Sequence, residues 1–379
     1  CIAIVLVLLR HGVRGFVDDS QSESWHPTLN PLGWCANGWI GVDLFFVLSG
    51  FLLGRKLLQQ LATGTLRVGD YIRSRIKRIV PAFYAALLIS VVIACLSGRQ
   101  SGASIAYQSW ANLLFCQDFI PTSVNVAFWS LGVEMKFYLA LPFLLMTIAD
   151  RSPQRQVAWI AAIVCISPLL RGVLWIADGG QLDHYGAAFW RYRAPLWCCL
   201  DGLGVGVLVA AMDRIPAWSR RIRQFATPLF WCGTLMILWS CTSGPLMNHI
   251  CGLEAAMMTT WLSVGFGCMV AAVIQNHAPR FLSFRLPGII ARHSYAIYLT
   301  HMWWIDPIGN LCRRCVPGYT EMTPEMQFIL FMPPFLIASY ASAWWLHYLV
   351  ERPMMSRGRG RSTATVTQSA SANVASEDA

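Results

Sequence analysis

The chain has 379 residues, of which 56% are hydrophobic and only 13% charged, with a mean hydropathy of +0.49 and a formal net charge of +10. Soluble domains carry roughly 25% charged residues, so the composition excludes a soluble globular fold and predicts an all-α integral membrane protein. The 17 Trp and 11 Tyr suit a membrane–water interface.

The chain opens on "CIAIVLVLLRHG", which is apolar but short of the roughly 20 residues that span a bilayer. It has neither a basic n-region nor a small-residue cleavage site, so it is expected to be a truncated first helix and not a signal peptide. Further apolar segments follow at residues 39–58, 78–97, 127–149, 156–177, 194–212, 226–245, 253–275, 288–308 and 327–350. The loops between them are rich in Pro, Gly and polar residues. With the first segment they predict a bundle of about ten transmembrane helices forming one domain over 1–355. Residues 356–379, "SRGRGRSTATVTQSASANVASEDA", have no apolar period and read as a disordered cytoplasmic tail. No strand alternation and no internal repeat is visible.

Lys and Arg concentrate at residues 55–78, 150–156, 213–225, 276–287 and in the tail. They outnumber those in the alternate loops roughly three to one, which places the basic loops and both termini in the cytoplasm. The basic excess is therefore a topology signal, and a nucleic-acid partner is not expected. Most of the 13 cysteines fall inside apolar runs and behave as small hydrophobes. Cys312 and Cys315 form a lone C-x-x-C, placed in a loop, with no second pair or neighbouring His to complete a metal site.

Ionisable groups at membrane depth are costly, and each raises a functional question. His11 is either a helix-end residue at the outer surface or a functional imidazole. The segment from Trp39 to Leu58 descends from outside to inside, with Asp43 near its outer end and Arg55 near its inner end, roughly 18 Å apart at 1.5 Å per residue. Gly50 and Gly54 with Ser49 form a small-residue notch suited to close helix packing. Arg75 and Arg78 share a helix face and either anchor the inner interface or grip a phosphate; Pro81 is placed near the start of that helix. Glu134 lies two turns into its segment with Ser130 and Tyr138 four residues away on either side, and needs a partner, a proton or water. Ser294, Tyr298 and His301 form one polar stripe on an apolar helix. Arg193 and Asp201, eight apart, suggest an internal ion pair or part of a substrate path.

Taken in order, these stretches resemble the acyltransferase 3 family of integral-membrane O-acyltransferases. "VLLRHG" resembles the end of the family's first helix, with its functional His at His11. "GVDLFFVLSGFLLGR" is similar to the F-F-x-x-S-G signature, here Phe45, Phe46, Ser49 and Gly50, followed by Arg55. "RIKRIVPAFY" resembles the R-x-x-R motif at Arg75 and Arg78. "WSLGVEMKFYLALP" looks like the family's Trp-Ser-Leu…Glu…Phe-Tyr…Pro motif, with Trp129, Ser130, Glu134 and Tyr138. "SYAIYLTHMWW" and "LVERP" resemble the last two segments, around His301 and Glu351. Two features depart from the pattern. The basic partner that the family places eleven residues before its His would precede Cys1, and Lys136 stands where Gln is usual.

The resemblance implies transfer of an acyl group, acetyl by default, from cytoplasmic acyl-CoA to a hydroxyl of a glycan or related acceptor at the outer face of a bacterial plasma membrane. Acyl-CoA (acetyl-CoA) is then a co-substrate, and no permanently bound cofactor or metal is expected. His11 would be the general base or an acyl relay, and Glu134 would orient or charge-stabilise it. Arg55, Arg75 and Arg78 would hold the donor's phosphates. Asp43, Ser49, Gly50, Trp129, Ser130, Tyr138, Tyr298 and His301 would shape the site. The alternatives are a multi-pass transporter or flippase of a sugar or small molecule, and a non-catalytic membrane receptor or assembly protein.

Overall fold

The computed structural model describes residues 1–16, 30–180, 185–242, 252–277 and 284–356. Those residues are helical throughout their ordered elements, with no strand among them. The principal helices are α1 (Ile2–Val13), α2 (Ile40–Ala62), α3 (Val68–Ser97), α4 (Gly102–Leu113), α5 (Trp129–Met146), α6 (Pro153–Val164) and α7 (Ile166–Ala177). They continue as α8 (Leu200–Asp213), α9 (Pro216–Gln224), α10 (Ala226–Thr242), α11 (Gly252–Ala272), α12 (Arg285–Thr300), α13 (Ile305–Cys315) and α14 (Pro324–Leu346). The ordering of the tail (residues 357–379) and the positions of Arg280, Arg357, Arg359 and Arg361 lie outside the described residues.

Local chemistry sets several boundaries. Ahead of α2, Asn30 caps a short helix whose first residue is Pro31, accepting the Leu32 N–H at 2.8 Å. Gly98 ends α3 in the left-handed conformation at φ 63°. Thr323 caps α14 with Pro324 at its first position. Pro81 lies inside the 30-residue α3 and not near its start.

Among the described residues, six helices are long and apolar enough to cross a membrane, or seven when the bent pair α9 and α10 (73°) counts as one span. Ten spans are therefore not what the helix lengths give. The difference comes from α1, α8 and α12, which are 12, 14 and 16 residues long. Residues 156–177 form two helices, α6 and α7, that meet at Cys165 within one span.

The bundle is built around α2 and α8. α1 and α8 pack on α2, α6 and α11 pack on α8, and α10 packs on α11, while α12, α13 and α14 form a second group joined to α1 and α3. One hydrophobic core runs from Ile4 to Leu346. Large apolar side chains also face outward, among them Leu88 and Leu96 on α3 and Trp231, Leu235 and Trp239 on α10. Such a surface would be a liability in water but suits lipid.

Contact between α2 and α8 is backbone to backbone. A methyl group on Gly50 would stand 1.9 Å from the Leu203 carbonyl oxygen, and one on Gly206 would stand 2.1 Å from that of Val47. The glycine notch thus admits a neighbouring helix.

Candidate active site

A cavity of about 480 Å³ lies among α1, α2, α3, α5 and α12. At one end it is basic, lined by Lys56, Arg75 and Arg78. Ser49, Glu134 and Tyr138 line it further in, together with Ser130, Ser294, Tyr295 and Tyr298. The remaining wall is apolar, built from residues such as Ile4, Val7, Phe45 and Leu53. Helix periodicity explains the convergence. Ser130, Glu134 and Tyr138 repeat every four residues on α5, and Ser294 and Tyr298 do so on α12, so each set presents one face.

Glu134 is buried, and one carboxylate oxygen, Oε2, accepts the Tyr138 hydroxyl at 2.9 Å. The other, Oε1, has no hydrogen-bond partner among the described residues. Tyr138 also lies 3.2 Å from Ser49 Oγ. A phenol has one proton to donate, so with Tyr138 donating to Glu134, Ser49 donates to Tyr138, and a chain runs from α2 to the carboxylate. The partner that Glu134 requires is therefore its own neighbour one turn on. Ser130 Oγ is 2.7 Å from the Tyr298 hydroxyl, which donates to the Ala127 carbonyl at 2.6 Å.

His11 lies beyond the cavity, on the α1 face that carries Ile4 and Val7 into it. The ring beside it is that of His301, with centroids 5.0 Å apart and planes at 52°. His301 follows Tyr298 by one turn, and their rings are 5.8 Å apart. Neither imidazole lines the cavity; each stands one turn beyond a residue that does, His11 after Val7 and His301 after Tyr298.

Other expected residues fall elsewhere. Arg55 is exposed and does not line the cavity; adjacent Lys56 does. Asp43 is buried in a two-pronged pair with Arg193, at 3.2 and 2.8 Å. The Arg193 guanidinium lies 4.6 Å from the Trp39 ring and 5.7 Å from that of Trp129. Trp129 in turn meets Phe46 and Phe189 edge to face, so it supports this pair and does not line the cavity.

An Arg193–Asp201 pair does not form. Helical structure is interrupted around Pro195 between them, and Asp201 pairs with Arg171 at 2.8 Å. Thr260 bonds both partners at 2.6 Å, and Arg171 also donates to the Ala256 and Cys198 carbonyls. Sequence reasoning passed over Arg171, although a lone Arg inside an apolar span was a usable signal. Lys136 pairs with Asp118, whose other oxygen accepts the Leu196 N–H at 3.2 Å. Glu351 hydrogen-bonds His347, one turn away in a π-helical segment. Cys312 and Cys315 occupy the last turn of α13 and not a loop, the first buried and the second exposed.

A family profile described as an acyltransferase domain matches residues 1–348. The chain belongs to the acyltransferase 3 family. Among relatives of this acyltransferase 3 chain is a Bacillus subtilis protein provisionally named a peptidoglycan O-acetyltransferase. It is 25% identical over 307 residues, covering 76% of this chain and 47% of the relative. The peptidoglycan O-acetyltransferase of Listeria monocytogenes is 26% identical over 294 residues, or 71% of this chain and 45% of the relative. A provisionally named acetyltransferase of Acidianus two-tailed virus is 24% identical over 300 residues, covering 78% of this chain and 83% of the relative. The acyltransferase 3 chain thus spans about half the length of the first two. No solved structure gives a significant match to it.

Proposed function

We propose that this chain is a multi-pass O-acyltransferase of a bacterial plasma membrane, with both termini in the cytoplasm. It moves an acyl group, acetyl by default, from cytoplasmic acyl-CoA to a hydroxyl of a glycan at the outer face. The observation that carries this reading is the cavity itself, which brings Lys56, Arg75 and Arg78 together with Ser49, Glu134 and Tyr138. The names of two relatives make peptidoglycan the first acceptor to test.

Arg75 and Arg78, with Lys56, receive the donor's phosphates, since guanidinium forks match phosphate oxygens. The apolar wall beyond them accommodates the pantetheine arm, and the thioester is carried toward His11. Glu134 offers Oε1 to a donor group on either substrate. His11 takes the proton of the acceptor hydroxyl as its oxygen attacks the thioester carbonyl. The C–S bond breaks, and the imidazolium returns its proton to the departing thiolate, so ester and free thiol leave with protons balanced. In the relay variant the imidazole itself attacks the thioester carbonyl, the C–S bond breaks and thiolate leaves; the hydroxyl then attacks the acyl-imidazolium, its proton passing to the thiolate as the C–N bond breaks.

The test uses membranes containing the full-length protein, labelled acetyl-CoA and peptidoglycan fragments. Labelled ester is expected, and His11→Ala should abolish it while the protein stays in the membrane. Accumulation of unmodified solute would favour the transporter instead. Retained transfer in His11→Ala would remove that residue from the chemistry.

A further inference from the structure

We propose that His301 is a positioning residue that fixes the tautomer of His11. This rests on the assignment of His11 as the base. His301 ends α12, where the helix tightens into the turn His301–Trp304. Its Nδ1 lies 2.8 Å from the Tyr298 carbonyl oxygen and 3.1 Å from that of Ile297. Carbonyl oxygens only accept, so Nδ1 carries the ring proton and Nε2 of the neutral ring is a lone pair. That Nε2 is fully buried and has no hydrogen-bond partner among the described residues.

His293 on the same helix also holds a backbone carbonyl through Nδ1 with Nε2 left open, so what singles out His301 is the imidazole beside it. An unsatisfied buried acceptor costs about 1–3 kcal/mol. Beside its ring lies that of His11, whose Nδ1 is likewise buried without a partner among the described residues. The separation of 5.0 Å between ring centroids is close to what two imidazoles have when an N–H···N bond of about 2.9 Å joins them. No hydrogen bond joins the two nitrogens in this structure, and a rotation of the His11 ring about its Cβ–Cγ bond is what the proposed bond requires.

In that arrangement the proton of neutral His11 is held on Nδ1. Its Nε2 is then the lone pair available to the acceptor hydroxyl. A carboxylate does this for the imidazole in a hydrolase triad, and also stabilises the imidazolium by charge. His301 supplies the orientation without the charge. The role assigned to Glu134 from the family resemblance, orienting the imidazole, passes to His301, and Glu134 stays with Tyr138 and the cavity.

Two measurements test this on the full-length protein in membranes. In the first, nitrogen-15 NMR of histidine-labelled protein, with the His11 signals assigned by their loss in His11→Ala, should find the neutral His11 ring protonated at Nδ1. Protonation at Nε2 overturns the proposal, and this readout needs no His301 variant to fold. In the second, His301→Asn keeps an amide donor for the backbone carbonyls but removes the acceptor. It should lower kcat on the order of 10²-fold with KM for acyl-CoA unchanged, and His301→Gln, which returns an acceptor near Nε2, should recover part of the loss. A kcat for His301→Asn within about threefold of the parent overturns the proposal while leaving the proposed function standing. Absence of acyl transfer by the parent protein itself would instead refute the proposed function.

Discussion

Replacing Gly50 with alanine tests whether the bundle is held at its centre by backbone contact. The added Cβ would lie 1.9 Å from the Leu203 oxygen, 2.9 Å from its carbonyl carbon and 3.2 Å from its Cα. None of these is the end of a flexible side chain, so α2 and α8 must separate. An ordinary contact requires roughly 1.5 Å of movement, and overpacking of this kind costs about 1–3 kcal/mol, with rigid backbone at the upper end. Alanine also recovers up to about 1 kcal/mol of helix propensity over glycine, leaving a net loss near 2 kcal/mol. Gly288→Ala in α12 is the control: a Cβ there meets nothing within 4 Å, so only the propensity gain of up to about 1 kcal/mol remains. The two variants should move in opposite directions, separated by about 3 kcal/mol, in thermal or denaturant unfolding followed by tryptophan fluorescence in detergent. Equal stability of the two would refute the claim that Gly50 carries a backbone contact. Because Ser49 and Leu53 on the same helix line the cavity, Gly50→Ala should also raise KM for the acyl donor.

Arg75→Ala combined with Arg78→Ala should raise KM for acyl-CoA by at least tenfold with a smaller change in kcat; an unchanged donor dependence would leave both arginines as interface anchors. Asp201→Ala should destabilise the protein by about 3–5 kcal/mol, because Arg171 keeps its buried charge after losing the carboxylate. Adding Arg171→Met should restore much of that loss, and a second variant as unstable as the first would refute the pairing. Arg191 holds the Asp178 carboxyl below its usual range through two hydrogen bonds of 2.9 Å, with the Tyr192 hydroxyl as a further donor. A depressed carboxyl contributes stability above its unfolded pKa, roughly 3.9, and loses it as pH falls through the lower folded value. Hydrogen exchange at Arg191 and Tyr192 should therefore stay slow from pH 7 to about 5 and quicken only near pH 4 and below; quickening already at pH 6 would contradict this.

Much of this architecture was legible because lipid leaves few options for a chain. Apolar runs bounded by Pro and Gly had to become helices, and they did, from Ile40–Ala62 to Pro324–Leu346. The span count did not follow, because an apolar run does not reveal how long its helix will be. α8 reads as a membrane segment, but it is a 14-residue helix buried along nearly its whole length. A helix sheathed by protein is under no constraint to match the bilayer thickness. Residues on one helix face were legible too: Ser130, Glu134 and Tyr138 do line one cavity. Partners from distant helices were not. Asp43 finds Arg193 across 150 positions, and the plausible pairing of Arg193 with Asp201 fails because the chain breaks at Pro195 and Arg171 reaches Asp201 first.

The polar groups inside the bundle then divide by whether their bonding is complete. Arg171, Asp201 and Thr260 satisfy one another, Asp43 is gripped at both oxygens by Arg193, and Asp118 is shared between Lys136 and a backbone N–H. Closed networks of this kind fix helix positions and have little left to offer a ligand. Among the described residues several buried polar atoms have no partner, Asn112 Oδ1 and Gln117 Oε1 away from the cavity included; of these, Glu134 Oε1 and Arg75 Nε belong to residues that line it, and His11 Nδ1 and His301 Nε2 lie beyond it. A substrate that brings phosphate to Arg75, a donor to Glu134 and a hydroxyl to His11 would complete them. In the proposed reaction the donor's phosphates would meet Arg75 and its arm would pass Glu134 toward the imidazoles, which lie beyond the cavity lining.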